Sequence, residues 1–416
     1  MTGFSFLHAA DLHLDSPLIG LAGRSPDFAE RVENASRAAL DALVELAIAE
    51  DCRFVLLAGD VFDGDLRNIR AGLYFVSRMR RLAEAGVPVV VILGNHDAEN
   101  RFMSRLELSD NVRLISARKP ETVRIDGLDV AIHGRSFPQR DVTENLARAY
   151  PPPVPGCFNI GLLHTALIGH EGEHAAYAPC SLEQLRLHGY DYWALGHVHD
   201  RQVLSERPHV VYPGNLQGRS VRETGAKGAS LVRVLDGEVT AVEHRALDAV
   251  RWDSAVVRLD GVADRPAALD RIRAAMVEAL DKAGGRPLAL RLRLTGETPL
   301  AGAFALGRGE LRDDVETLAA GLSGDLWLEK LSLGLTPPSA RSPSLDPTVA
   351  GRLDAEITAI ADDASFAARR DARLAEVLAK LPQSARAAEF AAQIRAEAGA
   401  RAATLARALV EGDDAL

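Results

Sequence analysis

Five short apolar runs punctuate the first 250 residues, and polar clusters follow them. Phe4 to His8, Phe54 to Ala58, Val87 to Leu93, Ile160 to Leu163 and Tyr192 to Leu195 are nearly continuous in apolar side chains. Runs of this length without alternation predict strands buried on both faces. The helix-period segment Ala35 to Ala49 between two of them predicts a helix packed against the sheet. Residues 1–250 therefore read as an α/β domain, and in such sheets functional groups gather on the loops at strand ends.

Beyond about residue 250 the pattern changes. Val256 to Leu259, Pro287 to Leu294 and Leu326 to Leu333 read as strands, with helices over Pro266 to Lys282 and Glu310 to Leu322. This predicts a smaller βαβαβ-like α/β cap domain over residues 251–335. Pro337, Pro338, Pro343 and Pro347, with Ser339, Ser342 and Ser344 between them, mark a linker over 336–348 that can continue neither a helix nor a central strand. An alanine-rich tail, 349–416, follows. Asp346 before Pro347 signals a helix start, and Leu353, Ile357 and Ile360 recur at helical spacing, as do Leu374, Val377, Leu378 and Leu381 before Pro382. So narrow a stripe predicts helices that bury a single face.

Composition narrows the function. With 48 Lys and Arg against 58 Asp and Glu, the net charge of −10 argues against coating nucleic acid by bulk positive charge, but leaves room for nucleic-acid chemistry at a local site. Aromatics are 5% and do not alternate with basic residues, so a platform for stacking single-stranded bases is not expected. Cys52, Cys157 and Cys180 are too scattered for a disulfide framework, which points to a reducing compartment. No apolar run approaches the roughly 18 residues of a membrane span, and no secretory signal pattern opens the chain. A cytoplasmic protein is the expectation. All 12 histidines lie between His8 and His244, which places the reactive chemistry in the first domain.

Five clusters at the predicted strand ends carry that chemistry: Asp11-Leu12-His13, Gly59-Asp60-Val61-Phe62-Asp63, Gly94-Asn95-His96-Asp97, Leu163-His164-Thr165 and Gly196-His197-Val198-His199. Residues i and i+2 project from the same side of an extended strand end, so Asp-x-His and His-x-His can each direct two ligands toward one metal cluster. The glycines let backbone approach closely. Oxygen and imidazole donors without thiolate favour Mn²⁺, Fe or Zn²⁺. His8 and His133, inside apolar runs, are expected to pack.

These motifs resemble the calcineurin-like metallophosphoesterase superfamily. The segments Phe6 to Asp15, Phe54 to Asp63 and Tyr212 to Arg219 resemble its DNA-repair nuclease branch, the SbcD-like and YhaO-type exonucleases; the likeness runs from residue 6 to about 228. It implies a sandwich of two central β-sheets flanked by helices, and two divalent ions, foremost Mn²⁺. One ion would be held by Asp11, His13, Asp60 and His199, and the other by Asp60, Asn95, His164 and His197, with Asp60 bridging. A metal pair ~3.5–4 Å apart can clamp the attacking and leaving oxygens of a phosphodiester. His96 would protonate or orient the leaving oxygen, with Asp97 fixing its tautomer. Some relatives carry a phosphate-contacting histidine at the position of Asp63; an anion there cannot donate in the same way and can orient a ligand instead.

Asp63, Arg67, Arg101, His170, His174 and Arg219 are candidate substrate contacts. The bland reading of the arginines is a solvated face balanced by acids such as Glu99 and Glu223. The resemblance further implies DNA cleavage, as an exonuclease or an endonuclease, a homodimer, and a tail that docks an SMC-like or AAA-type ATPase. Two other readings are weighed: a phosphatase or small-molecule phosphodiesterase using the same metals, and an ATPase-recruiting scaffold with secondary nuclease activity.

Overall fold

The computed structural model describes residues 3–16, 26–63, 69–100, 103, 106–169, 177–338, 347–378, 390–394, 398–399 and 402. In chain order the first compact unit contains β1 (Phe4–Ala9), α1 (Pro26–Ala49), β2 (Val55–Ala58), α2 (Ile69–Glu84), β3 (Val89–Ile92), α3 (Asn95–Asn100), β4 (Val112–Leu114), β5 (Glu121–Arg124) and β6 (Val130–Gly134). It continues through β7 (Phe158–His164), α4 (Leu182–Leu187), β8 (Tyr192–Gly196), β9 (Gln202–Glu206), β10 (His209–Tyr212), β11 (Gly228–Leu235) and β12 (Glu238–Ala246). One six-stranded sheet has the order β12-β11-β1-β2-β3-β4 and the other β5-β6-β7-β8-β10-β9. The sandwich of two sheets flanked by helices implied by the sequence is the observed fold.

Burial on both faces explains the continuous apolar runs. Successive side chains of a strand point to opposite faces. Leu7, Ala9, Val55, Leu57, Val89 and Val91 pack against Leu40, Leu43 and Val44 of α1 and Phe75 and Met79 of α2. Their neighbours Phe6, Leu56, Val90 and Ile92 pack between the sheets against Ile132, Ile160, Leu162 and Tyr192. The outer face of the second sheet is covered by Tyr150, Leu185 and Tyr190, which meet Leu163, Trp193 and Leu195. Phe6 stacks on Phe54 with ring centroids 4.8 Å apart, a contact within the inter-sheet layer.

Residues 254–279 and 291–416 cluster as a second compact unit. Its sheet has the order β13 (Arg251–Arg258), β14 (Leu288–Glu297), β15 (Leu326–Thr336), with α5 (Arg265–Ala283) between the first two strands and α6 (Ala301–Leu306) and α7 (Arg308–Leu322) between the last two. Ile272 and Met276 of α5 and Leu311 and Val315 of α7 are buried, as are Leu292 and Leu294 of β14. The C-terminal region is helical: α8 (Pro347–Asp362) opens on the proline signalled by the sequence, and α9 (Ala364–Leu378) follows. Asp363 caps α9 by accepting the Phe366 N–H at 2.7 Å. Of the stripe read in the sequence, Ile357, Leu374 and Leu378 are half-buried and Ile360 is exposed, while Leu381 lies outside the described residues. Among the described residues no helix is long and apolar enough to cross a membrane.

Candidate metal centre

The strands β1, β2 and β3 run parallel in one sheet, and β7 and β8 in the other, so their C-terminal ends meet at one edge of the sandwich. Asp11 and His13 follow β1, Asp60 follows β2, Asn95 and His96 follow β3, His164 ends β7, and His197 and His199 follow β8. The turn there is sharp. Asp11 (φ 52°), His13 (φ 43°), Asp60 (φ 54°) and His197 (φ 99°) are all left-handed. Such conformations cost about 1–3 kcal/mol each in a non-glycine residue, persist only where the surroundings over-determine them, and cluster at functional sites.

The over-determination is visible. Asp11 N donates to Gly59 O and His13 N to Asp60 O, both at 3.0 Å, and His197 N donates to the Asp11 carboxylate at 2.9 Å. Gly94 leaves room for the Asp60 carboxylate, since a Cβ there would lie 2.2 Å from Asp60 Oδ1. Gly59 combines φ 93° with a similar constraint, since a Cβ there would lie 2.5 Å from His164 Nδ1.

Hydrogen bonds then fix how the imidazoles present themselves. His164 Nδ1 donates to Ala58 O at 2.8 Å, His199 Nδ1 to Glu223 Oε1 at 2.7 Å, and His13 Nδ1 to Asp63 Oδ1 at 3.2 Å. With the proton on Nδ1, the neutral form of each ring turns an Nε2 lone pair inward, the orientation that a hydrogen-bond acceptor behind the ring imposes on a metal-binding histidine. Those lone pairs meet other acceptors. His13 Nε2 is 3.3 Å from His199 Nε2, and His164 Nε2 is 3.0 Å from Asn95 Oδ1 and 3.5 Å from Asp60 Oδ2.

Asp11, His13 and His199 form one group of donors whose atoms lie within 4.8 Å of one another. Asp11, Asp60 and His164 form a second, and His13, Asp60 and His96 a third. Asp11, His13, Asp60, Asn95, His164, His197 and His199 are all buried. Acceptors facing acceptors in a dry site require a cation between them, so this donor set fits divalent metal. In the absence of metal the same demand for positive charge shows in the ionisations: burial opposes charge, yet His199 draws Asp11 down to about 2 and Asp60 lifts His164 to about 9, so that a second proton on His164 takes the place a cation would fill. His197 stands beside His164 with ring centroids 5.1 Å apart. The structure thus brings all seven sequence-predicted ligands to one place.

The supporting residues differ from expectation. Asp97 does not occupy the place of the carboxylate on His96. Its oxygens accept the N–H groups of Val61 (3.1 Å), Phe62 (2.9 Å) and Gly94 (3.1 Å). Asp97 lies in the first turn of α3, where a side chain folds back on loop amides, so it staples the loop after β2 to the loop after β3. Burial and the nearby Asp60 charge push it up to about 7, against the pull of those amides. The carboxylate on His96 Nδ1 is that of Asp63, at 3.1 Å. Burial opposes protonation of His96, but Asp63 and Asp60 raise its pKa on balance.

Arg219 lies at the same edge, 26% exposed, with Nη2 3.1 Å from Glu223 Oε1 and Nη1 3.8 Å from Asp63 Oδ1. Arg67, Arg101, His170 and His174 lie outside the described residues. Sequence reasoning missed Glu223, which it treated only as a balancing charge. Besides holding His199, this carboxylate accepts from Asn215 Nδ2 at 2.9 Å and from Arg219 N at 2.7 Å. No local spacing announces that role, since Glu223 and His199 sit on separate loops.

Two family models match separate parts of the chain. Residues 4–201 match the family model for calcineurin-like phosphoesterases, and residues 252–336 match that for the middle domain of the metallophosphoesterase YhaO. The chain is 38% identical over 303 residues to the uncharacterised metallophosphoesterase YhaO of Bacillus subtilis, spanning 72% of this chain and 73% of that one. It is 28% identical over 230 residues to the DNA double-strand break repair protein Mre11 of Methanopyrus kandleri, covering 50% of this chain and 48% of that relative. For Mre11 of Sulfurisphaera tokodaii the figures are 26% over 267 residues, 60% and 64%. The chain therefore spans less than two thirds of either Mre11 protein.

Proposed function

The chain belongs to the calcineurin-like metallophosphoesterase family, and we propose that within it this protein is a Mn²⁺-dependent DNA exonuclease acting in DNA repair. The observation that carries the reading is the convergence of seven buried oxygen and imidazole donors in a chain whose relatives include DNA double-strand break repair proteins. Asp11, His13, Asp60 and His199 would hold one ion, and Asp60, Asn95, His164 and His197 the other. When bound, such a pair supplies Lewis acidity to the attacking water and to the phosphate oxygens. Hard oxygen donors alongside imidazole, with no thiolate in the cluster, suit Mn²⁺.

The chain's own residues supply the rest. Ala58 O, Asp63 and Glu223 keep the ligand imidazoles in the donor tautomer. His96, 30% exposed where the ligands are buried, stands where an incoming phosphodiester meets the cluster and delivers a proton to the leaving oxygen. Arg219 offers a planar guanidinium to a phosphate oxygen at the same edge. The helical tail, with Ile360 and Phe390 exposed, is the segment that would dock an SMC-like or AAA-type ATPase. A homodimer in the cytoplasm completes the proposal.

The test is a Mn²⁺-dependent cleavage assay on linear, hairpin and circular DNA. Linear DNA is degraded by the wild type, and His96→Ala lowers the rate about 10²–10⁴-fold while bound metal is retained. A preparation loaded with two metals that cleaves no form of DNA overturns the reading.

A further inference from the structure

We propose that Trp252 and Gln217 are positioning residues for the metal centre, anchoring the loop from Asn215 to Gly225, which brings Glu223 to His199, on the start of β13. The inference rests on the functional reading above for the role of His199 as a metal ligand, and adds what holds the carboxylate behind it. Trp252 and Gln217 are each 3% exposed, far more buried than a loop support at the surface would be. Trp252 closes the loop at two points. Its Nε1–H donates to Gly218 O at 2.9 Å, and its carbonyl accepts the Gly225 N–H at 3.0 Å. The ring fits closely, since a Cβ on Gly218 would lie 3.2 Å from Trp252 Cδ1 and 2.7 Å from Glu223 O.

Gln217 makes the second anchor. Its Oε1 accepts Ala249 N at 2.7 Å and Val250 N at 3.3 Å, while its Nε2 donates to Val250 O at 2.6 Å and to Gly218 O at 2.9 Å. The side-chain amide thus pairs with the Val250 peptide through both its N–H and its carbonyl, as a neighbouring strand would. From there the path leads back to the metal centre. Asn215 Nδ2 donates to Gln217 O at 2.8 Å and to Glu223 Oε2 at 2.9 Å, and Glu223 Oε1 accepts from His199 Nδ1 at 2.7 Å.

The segment that receives both anchors is itself immobilised. Arg251 grips Asp248 through two bonds, at 2.9 and 3.0 Å, and Arg286 donates to Ala246 O and Asp248 O, each at 2.8 Å. In a buried chain of paired polar groups, breaking one link strands a desolvated partner, so the chain holds its members in place together. Loss of either anchor lets Glu223 move off His199, whose ring then loses the contact that fixes its tautomer and its aim. Strand β13 continues from Ser254 into the second compact unit, so a strand belonging to both units takes part in holding a metal ligand.

The experiment uses the full chain. Mn²⁺ titration calorimetry should show affinity about 5-fold weaker in Trp252→Phe, which keeps a ring and removes the donor, and in Gln217→Leu, the effect of one neutral hydrogen bond. In a Glu223→Ala background the same two changes should cost nothing further, because the path to His199 is already cut. Coupling is reciprocal, so saturating Mn²⁺ should slow hydrogen exchange at the wild-type Gly225, Ala249 and Val250 amides by about the same 5-fold, and leave it unchanged in Glu223→Ala.

Amides that exchange equally fast with and without Mn²⁺ in the wild type overturn the proposal, even if neither anchor variant folds. So does unaltered Mn²⁺ affinity in both variants, or the same loss whether or not Glu223 is present. Weaker Mn²⁺ binding that depends on Glu223, in a protein that cleaves no diester, supports the anchors and counts against the nuclease reading alone.

Discussion

The interior of the sandwich and its metal-bearing edge both bury histidines, and they treat them in opposite ways. Between the sheets, His8 has Nδ1 on Tyr192 Oη and Nε2 on Leu195 O, each at 3.0 Å. On the outer face of the second sheet, His133 is closed likewise, by Thr122 Oγ1 at 2.9 Å and Asn159 Oδ1 at 3.1 Å. At the edge, His13, His164 and His199 each have Nδ1 on an acceptor and Nε2 turned toward further acceptors. A buried polar group with complementary partners on every side is structural; one whose open side faces only acceptors is waiting for a cation. The difference lies in what the second nitrogen meets, which no single residue type or depth of burial reveals.

Exchanging the two kinds of histidine breaks the comparison most forcefully. His164→Ala should remove one ion's donor and with it several kcal/mol of transition-state stabilisation, about 10³-fold or more in kcat for a phosphodiester. His133→Ala should leave kcat and bound Mn²⁺ unchanged and lower only the unfolding free energy. Equal kinetic losses in the two variants would erase the distinction.

A smaller effect sharpens it. Glu223→Ala removes the acceptor from His199 Nδ1, leaving there the Arg219 Nη2 donor at 3.3 Å, and should weaken Mn²⁺ binding about 10–100-fold, read by calorimetry, with little change in thermal stability once metal is saturating. Unaltered affinity would mean that the carboxylate merely organises its own loop.

The smallest effect concerns the closed histidines. Burial lowers the His8 pKa from 6.5 to about 3, although the Leu195 carbonyl and Asp11 act the other way. Between those two values the unfolded chain binds a proton that the folded chain refuses. Stability present above pH 6.5 is therefore lost as pH falls toward 3. Denaturant unfolding over that window should show a slope against pH about one proton shallower in His8→Asn than in the wild type, roughly 1.4 kcal/mol per pH unit. Parallel slopes would place a charged His8 in the folded state.

Much of the fold is legible where burial is two-sided. The runs around Leu7, Leu56, Val90, Leu162 and Ala194 are apolar without interruption because both faces of β1, β2, β3, β7 and β8 are covered. The outer strands are harder to see. β5, with the sequence Glu-Thr-Val-Arg, alternates half-buried with exposed positions and β9 mixes them without any fully buried residue, so four or five residues carry too little contrast to be told from a loop. The ligand types are visible in the sequence, but the reason inferred for the i, i+2 spacing is not the one observed: Asp11, His13 and His197 lie just past β1 and β8 in left-handed turns, not on extended strand ends.

The sequence reading lets Asp63 orient a ligand, but which imidazoles the orienting carboxylates hold is not visible. Adjacency in sequence suggested Asp97 as the partner of His96, whereas the short helix α3 folds Asp97 back onto the Val61, Phe62 and Gly94 amides and a turn from β2 brings Asp63 to the ring. Glu223 reaches His199 from a loop that its own neighbours describe only as polar. Such contacts depend on how strand ends are brought side by side, which is a property of the sheet order and not of any local pattern.

The central claim is that the inward Nε2 and carboxylate atoms form a two-ion site. Anomalous X-ray scattering at the manganese edge, from crystals of the whole protein grown with Mn²⁺, tests it directly. Two peaks about 3.5–4 Å apart are expected, with the Asp60 carboxylate between them, His13 and His199 on one and His164 on the other. A single peak, or manganese bound away from Asp60, would contradict it.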